Sequence, residues 1–278
     1  MNKEDYFIKK ISNSKYQGDD GAFVKNYVYS MDAFCEDVHF KRSWLSLEQI
    51  AKKAMLINIS DAIVMNARPK FALLSIAIPK DFTKEDLKTM AKAFKNIAKE
   101  YKIKIIGGDT ICNTKLDISI TIISKTKKPT LRSGAKIGDL LCYTNDLGSV
   151  KKDLDMLLTG KTFQNISKNS KFIEPILHGE FFYEASKYVS SAIDISDGLF
   201  SEMKNISKAS NLGFEIFKKI SDEIAMSGEE YEILFTFDEK HKQALEELAK
   251  KHKITLNIIG KAIEGSFNPK LKGWHFED

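Results

Sequence analysis

Hydrophobic and polar residues alternate along several short stretches of the chain, and this period of two predicts β-strands. Residues 116–122 alternate Leu and Ile with Asp, Ser and Thr, which is typical of a strand with one buried face. Residues 27–32 also alternate, and residues 71–78 form an apolar run that ends at Pro79 and predicts a buried strand. Residues 103–106 predict a strand that leads into two glycines and an aspartate.

Helical patterns separate these strands. The segment Ser46-Leu47-Glu48-Gln49 predicts a capping box, and Ile50 and Ile57 follow it on one face of the helix that it begins. Asp61 continues this apolar stripe, and an acid on a buried stripe indicates a function. The alternative is a helix end at which water satisfies the carboxylate. Thr83 begins a second amphipathic helix.

The second half of the chain shows the same mixture. It contains predicted strands over residues 140–143, 191–195, 231–237 and 254–259, and predicted helices over residues 199–210 and 239–252. The polar stretch 124–139 is the best candidate for a domain junction, and the Ser-, Asn- and Lys-rich stretch 161–171 predicts a loop. We therefore predict an α/β protein with mixed sheets and two domains, residues 1–135 and 136–278.

Composition narrows the class of protein. The chain has 278 residues, of which 43% are hydrophobic and 29% charged, as in an ordinary globular protein. Its net charge of +5 comes from scattered lysines, and no basic cluster or nucleic-acid-binding motif is present. The three cysteines form no CxxC pair, and no apolar run approaches the roughly 20 residues of a membrane span. We expect a cytoplasmic protein without a nucleic-acid or membrane partner.

Aspartates stand beside glycines or hydroxyl residues in five short, mostly apolar segments. These segments are residues 18–21, 30–32, 58–61, 107–110 and 194–198. A carboxylate in apolar surroundings is costly unless a positive group meets it, and none of the five segments contains Lys or Arg. A bound cation is the economical partner. Oxygen ligands in this number suit Mg²⁺, which usually accompanies phosphate.

The motifs that are absent limit the reaction class. The chain lacks the phosphate-binding loop of common ATPases, the protein-kinase motifs and the zinc-binding histidine motifs. Aspartates on several segments can hold two or more Mg²⁺ ions that bridge nucleotide phosphates. No Ser-His or Cys-His pair is evident, so we expect direct phosphoryl transfer without a catalytic nucleophile. Arg132 is suited to grip a phosphate, although a lone loop arginine is more often exposed to solvent.

Eight segments, taken in order, resemble the thiamine-monophosphate kinase family, within the superfamily of aminoimidazole ribonucleotide synthetase. They are GDDGAF at 18–23, YSMDAFCEDVHF at 29–40, AMLINISDAIVMNARP at 54–69, YKIKIIGGDT at 101–110, LRSGAKIGD at 131–139, AIDISDGL at 192–199, SGEEYEILFT at 227–236 and KGWHF at 272–276. Any one of them is weak, but eight in the right order are specific. The resemblance implies a two-domain α/β fold that dimerises through the sheet of its first domain.

The resemblance also implies a reaction and a set of site residues. The reaction is ATP-dependent phosphorylation of thiamine monophosphate to thiamine diphosphate, with several Mg²⁺ ions. The implied metal positions are Asp20, Ser30, Met31, Asp32, Asp61, Asp109, Asp194 and Asp197, with Met31 limited to its backbone carbonyl. The implied ATP positions are Tyr101, Gly108, Asp109, Arg132 and Ser196, and the implied substrate positions are His39, Glu229 and Trp274.

The chain departs from the family pattern at a few places. The usual Gly-Gly-Glu-Asp is Ser227-Gly228-Glu229-Glu230, and Met31 replaces a common Thr. Two alternatives stay open at this point. One is another ATP-dependent enzyme of the superfamily, such as selenophosphate synthetase or a purine-pathway ligase; the first cysteine, Cys35, lies too far along the chain to favour the former. The other is a non-catalytic nucleotide-binding regulator.

Overall fold

The computed structural model describes residues 3–11, 14–161, 166–167 and 169–270. Two five-stranded sheets organise this part of the chain. The strands are β1 (Ala22–Val24), β2 (Tyr27–Cys35), β3 (Arg68–Pro79), β4 (Lys104–Asn113), β5 (Asp117–Lys125), β6 (Leu140–Thr144), β7 (Val189–Asp194), β8 (Gly213–Ile216), β9 (Ile233–Phe237) and β10 (Leu256–Ile263). The helices are α1 (Lys3–Ile11), α2 (Leu47–Val64), α3 (Lys84–Glu100), α4 (Ser149–Leu158), α5 (Gly179–Ala185), α6 (Leu199–Ser210), α7 (Asp222–Ala225) and α8 (Lys242–His252).

The first sheet has the strand order β1-β2-β5-β3-β4, and only its β3–β4 pair is parallel. Its inner face supplies Ile118, Ile120 and Ile122 to a core shared with α2 and α3. The opposite face is exposed. It carries large apolar side chains from three strands: Tyr29, Met31, Leu73 and Ile111. The predicted strand over residues 71–78 is present in β3 and ends at Pro79, but Leu73 and Ser75 are exposed, so the strand is buried on its inner face only.

Helix α2 brings polar residues into this core. Ser46 accepts a hydrogen bond from the backbone N–H of Gln49 at 3.3 Å, and the Gln49 side chain accepts from the Ser46 N–H at 2.8 Å, so the predicted capping box is present. The helix is buried over almost its whole circumference, because it packs against the first sheet and also against α5 and β7 from the second half of the chain. Asp61 lies on its buried stripe, as the pattern predicts.

The second sheet has the order β7-β9-β6-β10-β8, and its pairs are antiparallel. Strands β6, β7, β9 and β10 and helices α6 and α8 match the predicted elements within a few residues. The division between the two sheets falls between Lys125 and Leu140, in the polar stretch 124–139. Among the described helices, none combines the length and the apolar character of a transmembrane span. Residues 162–165 and 168 of the predicted loop lie outside the described part.

Candidate active site

Three carboxylates from distant parts of the chain converge between the two sheets. Asp20 lies just before β1, Asp61 lies in the last turn of α2, and Asp194 is the last residue of β7. One carboxylate oxygen from each residue lies within 4.8 Å of the other two. The first and the second half of the chain therefore supply the same acid cluster, which we define as Asp20, Asp61 and Asp194.

Burial makes this cluster electrostatically unfavourable without a positive partner. The pKa of Asp61 is raised well above its usual range by burial, then by the charges of Asp32, Asp194 and Asp20. The pKa of Asp194 is likewise raised by burial and by Asp20, although Ser60 Oγ donates to its carboxylate at 2.5 Å and favours the charged form. Carboxylates crowded in this way are the donor set that a hard divalent cation prefers.

Arg132 supplies one positive charge to the cluster. Its guanidinium Nη2 lies 2.7 Å from Oδ1 of Asp20, and its backbone N–H donates to Asp19 at 2.7 Å. Burial lowers the pKa of the guanidinium, but Asp20, Glu202 and Asp194 raise it overall. The view of Arg132 as an ordinary solvent-facing loop residue is thus wrong. Its Nε is buried and has no hydrogen-bond partner within the described part of the chain, which leaves a donor for an anionic ligand.

Strand β2 places its three candidate residues on two faces of the sheet. Ser30 and Asp32 lie on the inner face beside α2, where Ser30 Oγ donates to the carbonyl of Asn58 at 3.2 Å and the Asp32 N–H donates to the Asn58 side chain at 2.8 Å. Asp32 is close enough to Asp61 to raise its pKa. The side chain of Met31 is 64% exposed on the opposite face, so only its backbone can face the cluster.

The turn after β7 carries Ser196 and Asp197 next to a buried acid that the sequence did not reveal. Glu202 on α6 accepts a hydrogen bond from the Asp197 N–H at 3.1 Å and from Ser196 Oγ at 3.4 Å. Burial, partly offset by Arg132 and reinforced by Asp197, raises the pKa of Glu202 to about 7. Glu202 therefore fixes the turn that follows Asp194.

Three other candidates lie away from the acid cluster. Asp109 is exposed on β4, in the middle of the strand rather than after it, and among the described residues the acid cluster does not include it. Its register opposite Ser75 puts it on the outer face of the first sheet. Gly108 packs so tightly on β3 that an added Cβ would lie 1.7 Å from the carbonyl oxygen of Leu74. Tyr101 ends α3, and burial raises its pKa to about 12.

Two of the three substrate candidates, His39 and Glu229, lie around Lys53 in the first half of α2. His39 accepts a hydrogen bond from the Cys35 N–H at its Nδ1, and its ring lies 5.6 Å from that of Phe34. Glu229 is only 5% exposed, and its carboxylate pairs with the buried ammonium of Lys53 at 2.7 Å. Glu229 is thus not the solvated acid that its sequence neighbourhood also allowed. Trp274 lies outside the described residues.

Sequence reasoning missed the buried partners of these residues, namely Lys53, Ser60, Glu202 and Tyr231. Burial and then the charges of Glu229 and Asp32 raise the pKa of Tyr231, so this residue lies between the substrate candidates and the acids. The sequence does contain a sign of Lys53 and Ser60, because each is a polar residue in a helix that is largely apolar. Nothing in the local sequence marks Glu202 or Tyr231.

Comparison with known proteins places this arrangement in a family. Residues 18–126 match the family model described as AIR synthase related protein, N-terminal domain. The thiamine-monophosphate kinase of Bacillus subtilis is 34% identical over 217 residues, which cover 73% of this chain and 67% of that protein. The thiamine-monophosphate kinase of Buchnera aphidicola subsp. Schizaphis graminum is 32% identical over 279 residues, which cover 91% of this chain and 86% of that protein.

The chain belongs to the thiamine-monophosphate kinase family. The resemblance in the eight sequence segments is thereby confirmed. A solved structure of AaThiL complexed with AMPPCP and TMP superposes with a TM-score of 0.83 at 26% identity, covering 98% of this chain and 95% of that one. The predicted two-sheet α/β fold is likewise confirmed by this match.

Membership of the thiamine-monophosphate kinase family makes the local departures informative. Glu230, where the family commonly has Asp, accepts hydrogen bonds from the backbone N–H groups of Gly148 and Val150 at 2.7 and 3.1 Å. It also accepts from Ser227 Oγ at 2.7 Å. The carboxylate of Glu230, held by the hydroxyl of Ser227, therefore caps the first turn of α4. Its neighbour Glu229 is the acid that faces α2.

Proposed function

We propose that this chain transfers the γ-phosphoryl group of ATP to thiamine monophosphate and so forms thiamine diphosphate. Its relatives are named thiamine-monophosphate kinases, and the AaThiL structure contains AMPPCP, an ATP analogue, together with TMP. The acceptor in this reaction is itself a phosphate, which is largely ionised at neutral pH because its second pKa is about 6. Such an acceptor needs no general base, which agrees with the lack of a nucleophile–base pair in the sequence.

The acid cluster is the observation that carries this proposal. Asp20, Asp61 and Asp194 come from both halves of the chain and meet at one point. The guanidinium of Arg132 lies beside them, and its buried Nε has no hydrogen-bond partner among the residues that the structure describes. A site that combines crowded carboxylates with one arginine is suited to a polyphosphate that arrives with divalent cations, because each component supplies the charge that the other lacks.

The residues of the cluster fit Mg²⁺. Their donors are carboxylate oxygens, and burial raises the pKa values of Asp61 and Asp194, so Arg132 offsets only part of the negative charge of the cluster. Asp32, whose charge raises the pKa of Asp61, and Asp197, three residues after Asp194, would extend the set to more than one ion. When bound, Mg²⁺ would neutralise and align the transferred phosphoryl group. Arg132 would bind a phosphate oxygen, and Glu202 would hold the turn that carries Ser196 and Asp197.

The acceptor would lie near His39 and Glu229, beside the first half of α2. His39 is held there by buried aromatic rings, since Phe34 lies 5.6 Å from His39 and 4.7 Å from Phe40. An aromatic face such as the indole of Trp274 would favour a cationic heterocycle such as the thiazolium of thiamine. We propose that Glu229 accepts a hydrogen bond from the aminopyrimidine, and that Trp274 stacks on the bound molecule.

We further propose a homodimer in which the outer faces of two first sheets meet. The face exposes Met31 and Ile111 at 64% and 56%, an apolar surface that a soluble monomer rarely presents without a partner. Asp109 lies on the same face and would be brought to the interface.

Light scattering tests this dimer. It should give twice the chain mass of 31.5 kDa, and Ile111→Asp should give the monomer mass. A wild-type monomer would contradict this arrangement. Because ATP is its co-substrate, we propose a cytoplasmic location.

An ADP-release assay across several acceptors tests the reaction. The purified chain is supplied with ATP and Mg²⁺ and with thiamine monophosphate, thiamine, selenide or formylglycinamidine ribonucleotide in turn. ADP release with thiamine monophosphate alone is the expected result. AMP release only with selenide, or ADP release only with the purine precursor, would assign the chain to another reaction of the superfamily. No nucleotide release with any of these acceptors would favour a non-catalytic, regulatory role.

A further inference from the structure

Helix α2 carries a lysine whose side chain is wholly buried. Lys53 is 0% exposed, and its Nζ donates to Oε2 of Glu229 at 2.7 Å and to the carbonyl oxygen of Phe172 at 2.7 Å. Burying an ammonium is costly unless charged and polar partners surround it. Lys53 therefore ties α2 to two separate segments of the second half of the chain, one at Phe172 and one at Glu229.

Aromatic rings complete the surroundings of this ammonium. The ring centroids of Phe172 and Phe34 lie 4.6 and 5.7 Å from Nζ, within the range of cation–π attraction. Phe34 in turn packs against His39 with their ring centroids 5.6 Å apart. Lys53 thus lies behind both candidate acceptor contacts, His39 and Glu229, without being one of the residues implied by the family resemblance.

The backbone of Glu229 is fixed by its own contacts, and Lys53 sets the orientation of its side chain. Its φ is +54°, a conformation that non-glycine residues seldom adopt, and its N–H donates to the carbonyl of Ser196 at 2.6 Å. Among the described residues, the donor to the carboxylate of Glu229 is Lys53, and the oxygen that accepts is Oε2. Oε1 is therefore the oxygen that is left to accept a hydrogen bond from a ligand.

We propose that Lys53 is a positioning residue for acceptor selection, which holds Oε2 of Glu229 so that Oε1 faces the N–H donors of a nitrogen heterocycle. Because the ammonium also balances the charge of the carboxylate, the pair selects its ligand by the hydrogen-bond donors of that ligand more than by its positive charge. This inference rests on the proposed function, in which Glu229 contacts thiamine monophosphate.

Steady-state kinetics of three lysine variants test the inference. Lys53→Met should raise the KM for thiamine monophosphate about tenfold or more, because Glu229 loses its fixed orientation, and should leave the KM for ATP within about twofold. Lys53→Arg keeps the charge and should restore part of the loss. Lys52→Met is the matched control, since this neighbouring lysine is 25% exposed and lies 3.5 Å or more from its acidic partners. It should behave as the wild type.

A double variant separates positioning from folding. Lys53→Met leaves a buried carboxylate unpaired and lowers Tm, whereas Lys53→Met with Glu229→Gln removes both charges and should recover much of that loss. If Lys53 acts through Glu229, the double variant has the same KM for thiamine monophosphate as Glu229→Gln alone. A further tenfold rise in the double variant, or an equal rise in the KM for ATP after Lys53→Met, would overturn the inference.

The same experiment separates this inference from the proposed function. A wild type that does not turn over thiamine monophosphate would overturn both. A wild type that turns it over, together with a Lys53→Met variant whose KM for thiamine monophosphate is unchanged, would overturn the role of Lys53 alone.

Discussion

Asp61→Asn should stabilise the metal-free protein and at the same time abolish its turnover. The substitution keeps the size of the side chain and removes one negative charge from the acid cluster. Two unit charges 4.8 Å apart repel each other by about 3.5 kcal/mol at an effective dielectric constant of about 20. Asp61 meets such repulsion from both Asp20 and Asp194, and Arg132 and partial protonation offset part of it. We expect a net gain on the order of 1 to 3 kcal/mol in EDTA.

The sign of the pH dependence follows from the direction of the pKa shift. In the folded protein the pKa of Asp61 is raised by burial and then by Asp32, whereas in the unfolded chain the group ionises at about pH 4. The contribution of Asp61 to stability is therefore fully present below about pH 4 and is lost as the pH rises through the folded pKa. The stability of the metal-free wild type should fall over this range more steeply than that of Asp61→Asn.

Denaturant unfolding in EDTA and in millimolar Mg²⁺ measures the stability of both proteins without and with the metal. The wild type should gain stability from Mg²⁺ through linked binding, and Asp61→Asn should gain much less, so the order of the two proteins reverses. An Asp61→Asn protein that is less stable than the wild type in EDTA would refute the reasoning. It would mean that Asp61 makes a favourable contact within the chain and stabilises the protein without a bound cation.

Three further substitutions test other parts of the account. Asp109→Asn tests the metal role that the family resemblance implies for this residue: it should lower turnover by orders of magnitude, and it should leave Tm unchanged because Asp109 is exposed; near-normal turnover would remove it from the site. Trp274→Ala should weaken the binding of thiamine monophosphate in a calorimetric titration and leave ATP binding unaltered, and the reverse result would place Trp274 elsewhere. Gly108→Ala should destabilise the protein by several kcal/mol in urea, because its Cβ would collide with the backbone of Leu74; a neutral effect would contradict the close packing of β4 on β3.

Local sequence patterns predict much of this fold. The starts of α2 and α3, at Ser46 and Thr83, follow from capping boxes that satisfy the first N–H groups of each helix. Helix α6 follows from its apolar spacing after Gly198. Strand β8 has four residues and helix α7 has four, so neither is long enough to show a period above the background.

The predicted site is harder to assemble from sequence, because its geometry depends on long-range pairing. That Asp20, Asp61 and Asp194 belong to one site follows from their shared apolar surroundings, but the pairing of Asp20 with Arg132 joins residues that are 112 positions apart. Met31 and Asp32 are neighbours in sequence, and only the alternation along β2 separates their side chains onto opposite faces. The role of Gly108 in packing, in addition to any contact with ATP, requires the parallel register of β3 and β4.

The most direct test of the central claim follows the phosphoryl group itself. The protein is incubated with ATP labelled at its γ-phosphate, with thiamine monophosphate and with Mg²⁺, and the thiamine phosphates are separated by chromatography. We predict that the label appears in thiamine diphosphate, in an amount equal to the ADP formed, and that EDTA abolishes the transfer. Label that appears only in inorganic phosphate, or thiamine diphosphate that carries no label, would contradict direct transfer from ATP to thiamine monophosphate.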